Sequence, residues 1–292
     1  MCSKTLLAID GGGIWFTGVA KYIRALDQYL DFGLHNYIDG IAGTSAGAIV
    51  AALYAFGYTP AEIDYLAEKH ALKMFDKVGF PQSLNPMKPN LYKGVYAENL
   101  LKQIFGETRI KDVKLPIFLV GTNLDTGEEM IFSHAYNEEY PLWKAVLISM
   151  SAPTYFPPVD GMYGDGGLLA NNPSEVLLAG FANECKTYVQ NIRVLSLATS
   201  GRVIKAPKKV SMHTKLGWVP KLIDITLKGN SRIAHFVMKN LPLQKYMRVS
   251  PILAKDQDYA LDEVSKIKEI NAIWDKQFKE TRNEVLNFIK GV

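Results

Sequence analysis

The chain has 292 residues, 48% of them hydrophobic and 21% charged, with a formal net charge of +4. That length and apolar content are enough for a large buried core, and one α/β domain over residues 1–292 is the economical expectation. The two cysteines, Cys2 and Cys185, exclude a disulfide framework and have no metal-ligand spacing with any histidine, so a reducing, cytoplasmic compartment without a metal or other cofactor is expected.

The first nine residues, MCSKTLLAI, run into a glycine cluster and lack the apolar stretch and cleavage site of a signal peptide. Residues 4–9 predict a short buried strand ending in Asp10-Gly11-Gly12-Gly13, and the spacing Val19, Ile23, Leu26, Leu30 predicts a helix behind it. Tyr37 to Ala42 predicts a second strand. Gly43-Thr44-Ser45-Ala46-Gly47 then leads into a small-residue helix, Ala48 to Phe56. The richest apolar run, AGAIVAALYAF at 46–56, falls short of the roughly 20 residues a spanning helix needs, so any membrane contact is expected to be peripheral.

Thr59-Pro60-Ala61-Glu62 combines an N-cap, a proline at the first helical position and a capping-box glutamate, predicting a helix to about Asp76. Phe80 to Gly94, with three prolines, reads as a long loop that is either the border of an entry cleft or a surface excursion. Pro116 to Gly121, Met130 to Ser133 and Ile192 to Ala198 predict strands; Leu142 to Ser149, Lys221 to Lys239 and the amphipathic run Leu261 to Ile289 predict helices. This alternation predicts a three-layer α/β/α sandwich around a mostly parallel sheet. Its motif-bearing core covers about 4–200, followed by a basic, mainly helical portion over 201–292. Residues 201–250 carry eleven lysines and arginines, from Arg202 to Arg248, against the single acid Asp224. Such asymmetry suits either an anionic partner or a solvated basic face.

Gly43-Thr44-Ser45-Ala46-Gly47 is a G-x-S-x-G sequence at a predicted strand-to-helix turn, the setting of a nucleophile elbow. Gly43 and Gly47 permit close backbone approach, Ser45 is presented at the strand end, and the helix N-terminus favours developing negative charge. A nucleophilic serine also needs a base and an oxyanion hole. Gly11, Gly12 and Gly13, at the end of the preceding strand, are candidate donors for the oxyanion. Asp165, in Tyr163-Gly164-Asp165-Gly166-Gly167 after a possible short strand, is a candidate base, although a structural Asp-Gly turn fits the same residues. A Ser-His-Asp order is available through Ser45, Asp165 and His213 or His235. Only 42 residues precede Gly43, however, too few for the several strands that usually come before that elbow, and none of the five histidines lies in a motif.

Asp10-Gly11-Gly12-Gly13, the Ser45 pentapeptide and Asp165-Gly166-Gly167, in this order, resemble the patatin-like phospholipases. Lys114-Leu115-Pro116-Ile117, Thr122 to Gly127, Ser151 to Pro158 and Asn171-Asn172-Pro173 extend the resemblance over roughly residues 4–200. It implies a Ser45–Asp165 dyad, an oxyanion loop at Gly11 to Gly13, Gly166 and Gly167 as support, no metal, and a lipid or acyl-ester substrate cleaved through an acyl-enzyme. An aspartate of reference pKa near 3.9 is a weak base, so proximity, burial and the oxyanion hole would carry much of the rate. The family pattern departs at two places. Ile14-Trp15-Phe16-Thr17-Gly18 lacks the usual cation after the glycines, and Leu147 stands where an arginine often precedes the Ser-Ala-Pro segment. Trp15 and Phe16 are therefore expected to favour neutral acyl esters or interfacial contact.

Two readings from other classes compete. Dinucleotide binding at Gly11-x-Gly13 requires a third glycine where Phe16 stands, and an acid at the end of the second strand, where the elbow serine stands. Nucleic-acid binding through residues 202–248 lacks any recognition motif, which leaves an anionic membrane surface as the expected partner of that segment.

Overall fold

The computed structural model describes residues 3–75, 94–199, 215–254, 257 and 259–292. The predicted loop from Phe80 to Gly94, except Gly94 itself, the basic residues Arg202, Lys205, Lys208 and Lys209, and His213 lie outside the described residues.

The chain opens with strand β1 (Lys4–Ile9), helix α1 (Phe16–Asp27), strand β2 (Gly40–Thr44), and helices α2 (Ala46–Phe56), α3 (Pro60–Met74) and α4 (Val95–Phe105). Strands β3 (Ile117–Asn123) and β4 (Glu129–Phe132) follow, then α5 (Leu142–Met150), β5 (Tyr163–Asp165), α6 (Gly167–Ala170) and α7 (Ser174–Glu184). The last elements are β6 (Ile192–Leu197), α8 (Lys215–Asn240), β7 (Lys245–Val249) and α9 (Ile267–Lys290). The strand expected at Tyr37 begins three residues later, because Leu34–Asn36 forms a 3-10 turn first. The last helix starts at Ile267 rather than Leu261 for the same kind of reason, a 3-10 turn at Val264–Lys266. At α3 the capping box forms as predicted, with Thr59 and Glu62 satisfying each other's backbone N–H groups.

The sheet runs β4-β3-β2-β1-β6-β7, with β5 also paired to β3. β1, β2, β3, β6 and β7 are parallel, whereas β4 and β5 are antiparallel to β3. Both faces are covered. Leu7, Ile9, Ile41, Leu119 and Leu195 enter the larger core with α1, α2, α3, α5 and α9. Leu6, Ala8, Ala42, Phe118 and Val194 enter the other, with Leu177 and Phe181 of α7 and Met238 of α8. The strands read as continuous apolar runs because successive side chains meet helices on opposite faces. This is the expected α/β/α sandwich.

The α1–α9 contact is tight enough to set a test. Gly18 of α1 faces the buried Trp274 of α9, and a Cβ on it would lie 2.0 Å from the indole Cδ1. Gly229, inside α8, has nothing within 4 Å of the equivalent point. Gly18→Ala is expected to destabilise the fold by about 1–3 kcal/mol, and Gly229→Ala to stabilise it by about 1 kcal/mol, read as opposite shifts in the urea midpoint.

Candidate active site

Register explains how two residues 120 positions apart in sequence meet. Thr44, the last residue of β2, pairs with Val120 of β3; the next residue of β3, Gly121, pairs with Asp165. Gly121 also pairs with Met130 of β4, so β5 must lie on the side of β3 that β2 has just left. Ser45 therefore turns out of the sheet where Asp165 enters it.

Ser45 has φ 55° and ψ −130°, a conformation that is strained for a residue with a side chain and typical of functional turns. Its N–H donates to the Ser149 hydroxyl of α5 at 3.0 Å, and the preceding Thr44 hydroxyl donates to the Ala170 carbonyl at 2.8 Å. Gly43 and Gly47 allow the tight crossing. A Cβ on Gly43 would lie 2.4 Å from the Gly47 carbonyl oxygen, and one on Gly47 would lie 2.5 Å from that of Asp10.

Asp165 is buried, at 3% exposure. Its N–H donates to the Ser151 carbonyl, its own carbonyl accepts from the Thr122 hydroxyl at 2.9 Å, and Oδ1 accepts from the Gly167 N–H at 2.6 Å. Burial pushes the carboxyl up to about 7, against the opposing hydrogen bonds from the Ser45 side chain and the Gly167 backbone. The reference value taken from sequence thus misses the main property of this group, a proton affinity raised by burial. Gly166 packs against the Val120 carbonyl, where a Cβ would lie at 2.2 Å.

The glycine loop after β1 completes the site. Gly11 donates its N–H to the Asn171 carbonyl at 2.9 Å, so that donor is committed. Gly12 and Gly13 line the same cleft as Ser45 and Asp165, and their N–H groups donate to no other described residue. Ile49, Phe75, Met150, Phe156 and Leu227 are among the apolar walls of this cleft.

Several supporting residues escaped the sequence reading. Asn171 links the loops: its side-chain amide donates to the Gly11 carbonyl at 3.3 Å and to the Ser231 hydroxyl at 3.0 Å. Asn230 of α8 accepts from the Asn171 N–H at 3.0 Å and donates to the Gly167 carbonyl at 2.7 Å. Arg248 of β7 grips Asp10 with two guanidinium nitrogens, at 3.0 and 2.5 Å, and reaches the Ser196 hydroxyl at 2.6 Å. Counting Arg248 in a basic surface was therefore wrong, since its charge is neutralised beside the glycine loop. The signal was present: Arg248 stands between Met247 and Val249 in a short strand-like run.

The expectation that Trp15 and Phe16 serve interfacial contact is also corrected. They are 1% and 2% exposed, and Trp15 stacks on Tyr259 at 5.9 Å inside the core. The described histidines stay away from the cleft lining. His35 stacks on Tyr54, His70 bonds the Tyr96 hydroxyl, His134 the Val113 carbonyl and His235 the Tyr246 hydroxyl.

Fold and site define an α/β/α protein built on a sharp strand-to-helix serine turn facing a buried carboxyl group. A family model described as patatin-like phospholipase matches residues 7–178, and the chain belongs to that family. A cGAMP-activated phospholipase of Vibrio cholerae is 26% identical over 227 residues, covering 67% of this chain and 64% of that protein. An intracellular phospholipase A2 of Caenorhabditis elegans is 26% identical over 270 residues, 87% of this chain and 22% of that protein. This chain thus spans less than two thirds of the length of both relatives. The crystal structure of VipD from Legionella pneumophila aligns with 95% of this chain and 67% of that one, at a TM-score of 0.46 and 13% identity.

Removing one partner of the Asp10–Arg248 pair leaves a buried charge alone. Arg248→Met is expected to cost about 3–5 kcal/mol in urea unfolding, and the double variant Asp10→Asn/Arg248→Met to recover most of the loss.

Proposed function

We propose that the protein is a lipid acyl hydrolase of the phospholipase A or lysophospholipase type, with Ser45 as nucleophile and Asp165 as general base. The observation that carries this reading is the buried Asp165 carboxyl, raised to about 7, in the same cleft as Ser45 at its strained turn. Asp165 takes the Ser45 hydroxyl proton as Oγ adds to the ester carbonyl carbon. The oxyanion is held by the N–H groups of Gly12 and Gly13. Collapse breaks the ester C–O bond, and the departing alcohol takes the proton back from Asp165. Water, deprotonated in turn by Asp165, adds to the acyl-enzyme carbonyl; collapse breaks the bond to Ser45 Oγ, which takes the proton back from Asp165 as the fatty acid leaves.

Helix α8 supports a peripheral membrane contact for the same enzyme. Its inner face supplies Leu227 to the cleft and Asn230 to the Asp165 loop. Its outer face exposes Ile233 (64%) and Phe236 (67%), with Leu222 and Ile225 also exposed, Leu241 exposed just past its end, and Arg232 and Lys239 nearby. Apolar side chains flanked by cations suit an anionic bilayer surface. Among the described residues no helix is long and apolar enough to cross a membrane.

A fluorophosphonate probe is expected to label the protein, and Ser45→Ala to abolish labelling. Asp165→Asn should lower ester turnover about 10²- to 10⁴-fold while His213→Ala and His235→Ala stay active; an inactive histidine variant would restore a triad. Because the base acts only when deprotonated, kcat/KM should rise by about tenfold per pH unit below about 7 and level off above it. A flat profile across that range would remove Asp165 as the base.

Vesicle co-sedimentation at low salt should show binding to anionic over neutral bilayers, weakened by Phe236→Ser. Equal binding to both lipids would reject the electrostatic contribution.

A further inference from the structure

In a trans peptide the carbonyl of one residue and the N–H of the next lie in one plane and point in opposite directions. In the glycine loop, whatever holds the Gly11 carbonyl therefore aims the Gly12 N–H. Whatever holds the Gly12 carbonyl aims the Gly13 N–H.

The second of these planes is held by the backbone itself. The Gly12 carbonyl accepts from the Trp15 N–H at 3.2 Å, across the 3-10 turn of Gly13–Trp15. The first is held by side chains distant in sequence. The Gly11 carbonyl accepts from the Thr199 hydroxyl at 2.6 Å and from the Asn171 side-chain amide at 3.3 Å, and at these lengths the Thr199 bond is the stronger. Thr199 lies two residues past β6, is 3% exposed, and sits so close that a Cβ on Gly12 would lie 2.1 Å from its hydroxyl oxygen. Among the described residues Gly12 and Gly13 line the cleft, whereas Gly11 and Thr199 do not. The loop also lies against the nucleophile: a Cβ on Gly11 would be 2.9 Å from that of Ser45.

Glycine makes such an anchor necessary. With no Cβ on either side of the Gly11–Gly12 peptide, turning its plane over meets little steric resistance. A plane turned over would present the Gly11 carbonyl to the cleft in place of the Gly12 N–H, losing a donor and aiming a carbonyl oxygen at developing negative charge.

We infer that Thr199 is a positioning residue for ester hydrolysis: its hydroxyl holds the Gly11 carbonyl away from the cleft and so keeps the Gly12 N–H aimed at the oxyanion formed on Ser45. This rests on the acyl-hydrolase reading above. Formation and hydrolysis of the acyl-enzyme both pass through a tetrahedral oxyanion, so the effect falls on kcat whichever step limits the rate. The ester carbonyl of the bound substrate carries less charge, so KM depends little on the aim of this donor.

The test uses the intact chain and p-nitrophenyl butyrate. Thr199→Val keeps the shape of the side chain and leaves only the weaker Asn171 bond, so kcat should fall about tenfold, the worth of one hydrogen bond, with KM within about twofold of wild type. Thr199→Ser keeps the hydroxyl and should retain kcat within about threefold. A trifluoromethyl ketone, which adds to the Ser45 hydroxyl as a tetrahedral oxyanion, should lose affinity in the valine variant by the same factor as kcat. If valine at position 199 prevents folding, Thr199→Ala and Thr199→Ser, which differ by one oxygen atom, make the same comparison. Equal kcat with and without the hydroxyl, or a serine variant as slow as the one lacking it, would overturn the inference alone. A wild type that hydrolyses no ester and takes no fluorophosphonate at Ser45 would instead remove the acyl-hydrolase reading, and the role of Thr199 with it.

Discussion

When β2 leaves the sheet at Ser45, the last residues of β3 still carry backbone donors and acceptors that burial will not leave unpaired. β5 meets that demand. Its three residues take the place vacated beside Gly121, Thr122 and Asn123, and its last residue is Asp165. The meeting of serine and aspartate is thus a consequence of sheet hydrogen bonding rather than of a side-chain contact added to a finished fold. The same crossing requires backbone to pass backbone at van der Waals distance, which is why glycines stand at 43, 47 and 166.

Around that crossing, polar groups lock three loops to one another. Asn171 ties the glycine loop to α8, Asn230 ties α8 to the Asp165 loop, and Arg248 holds Asp10 from β7. Each bond crosses between segments distant in sequence, so the loops are positioned by the sandwich as a whole. A helix that contacts both loops on one side and presents Ile233 and Phe236 outward on the other connects the cleft to whatever surface the protein meets. On the proposed reading that surface is the one holding the substrate.

Features encoded within a few residues were legible in the sequence. The strand-turn-helix around Ser45, the capping box at Thr59, the apolar strands and the resemblance of the Asp10, Ser45 and Asp165 segments all depend on neighbours in the chain. What escaped depends on pairing across it. Nothing local reveals that β5 would replace β2, that the Gly11 N–H would be taken by Asn171, or that Arg248 would turn inward. Trp15 shows the same limit. Beside a glycine loop it reads as a surface aromatic, but Tyr259, more than 240 residues away, covers it.

Burying Asp165 has two effects of opposite sign. Raising its pKa from 3.8 to about 7 brings its proton affinity close to that of a base effective at neutral pH. The same shift means that the folded state holds this proton more tightly than the unfolded chain. Its contribution to stability is therefore fully present below pH 3.8, declines as pH rises through about 7, and is a constant penalty above that. The serine adds a second penalty through its strained φ. Both fall on the two residues that β2 and β5 bring together, and the surrounding core must offset both. The large apolar cluster shared by six helices and the sheet does so, running along α2 from Ala46 beside the strained serine to Ala55 and reaching Phe105 of α4. A site this costly persists only where the chemistry it permits is used, which is the strongest physical argument for reading the Ser45–Asp165 pair as functional rather than structural.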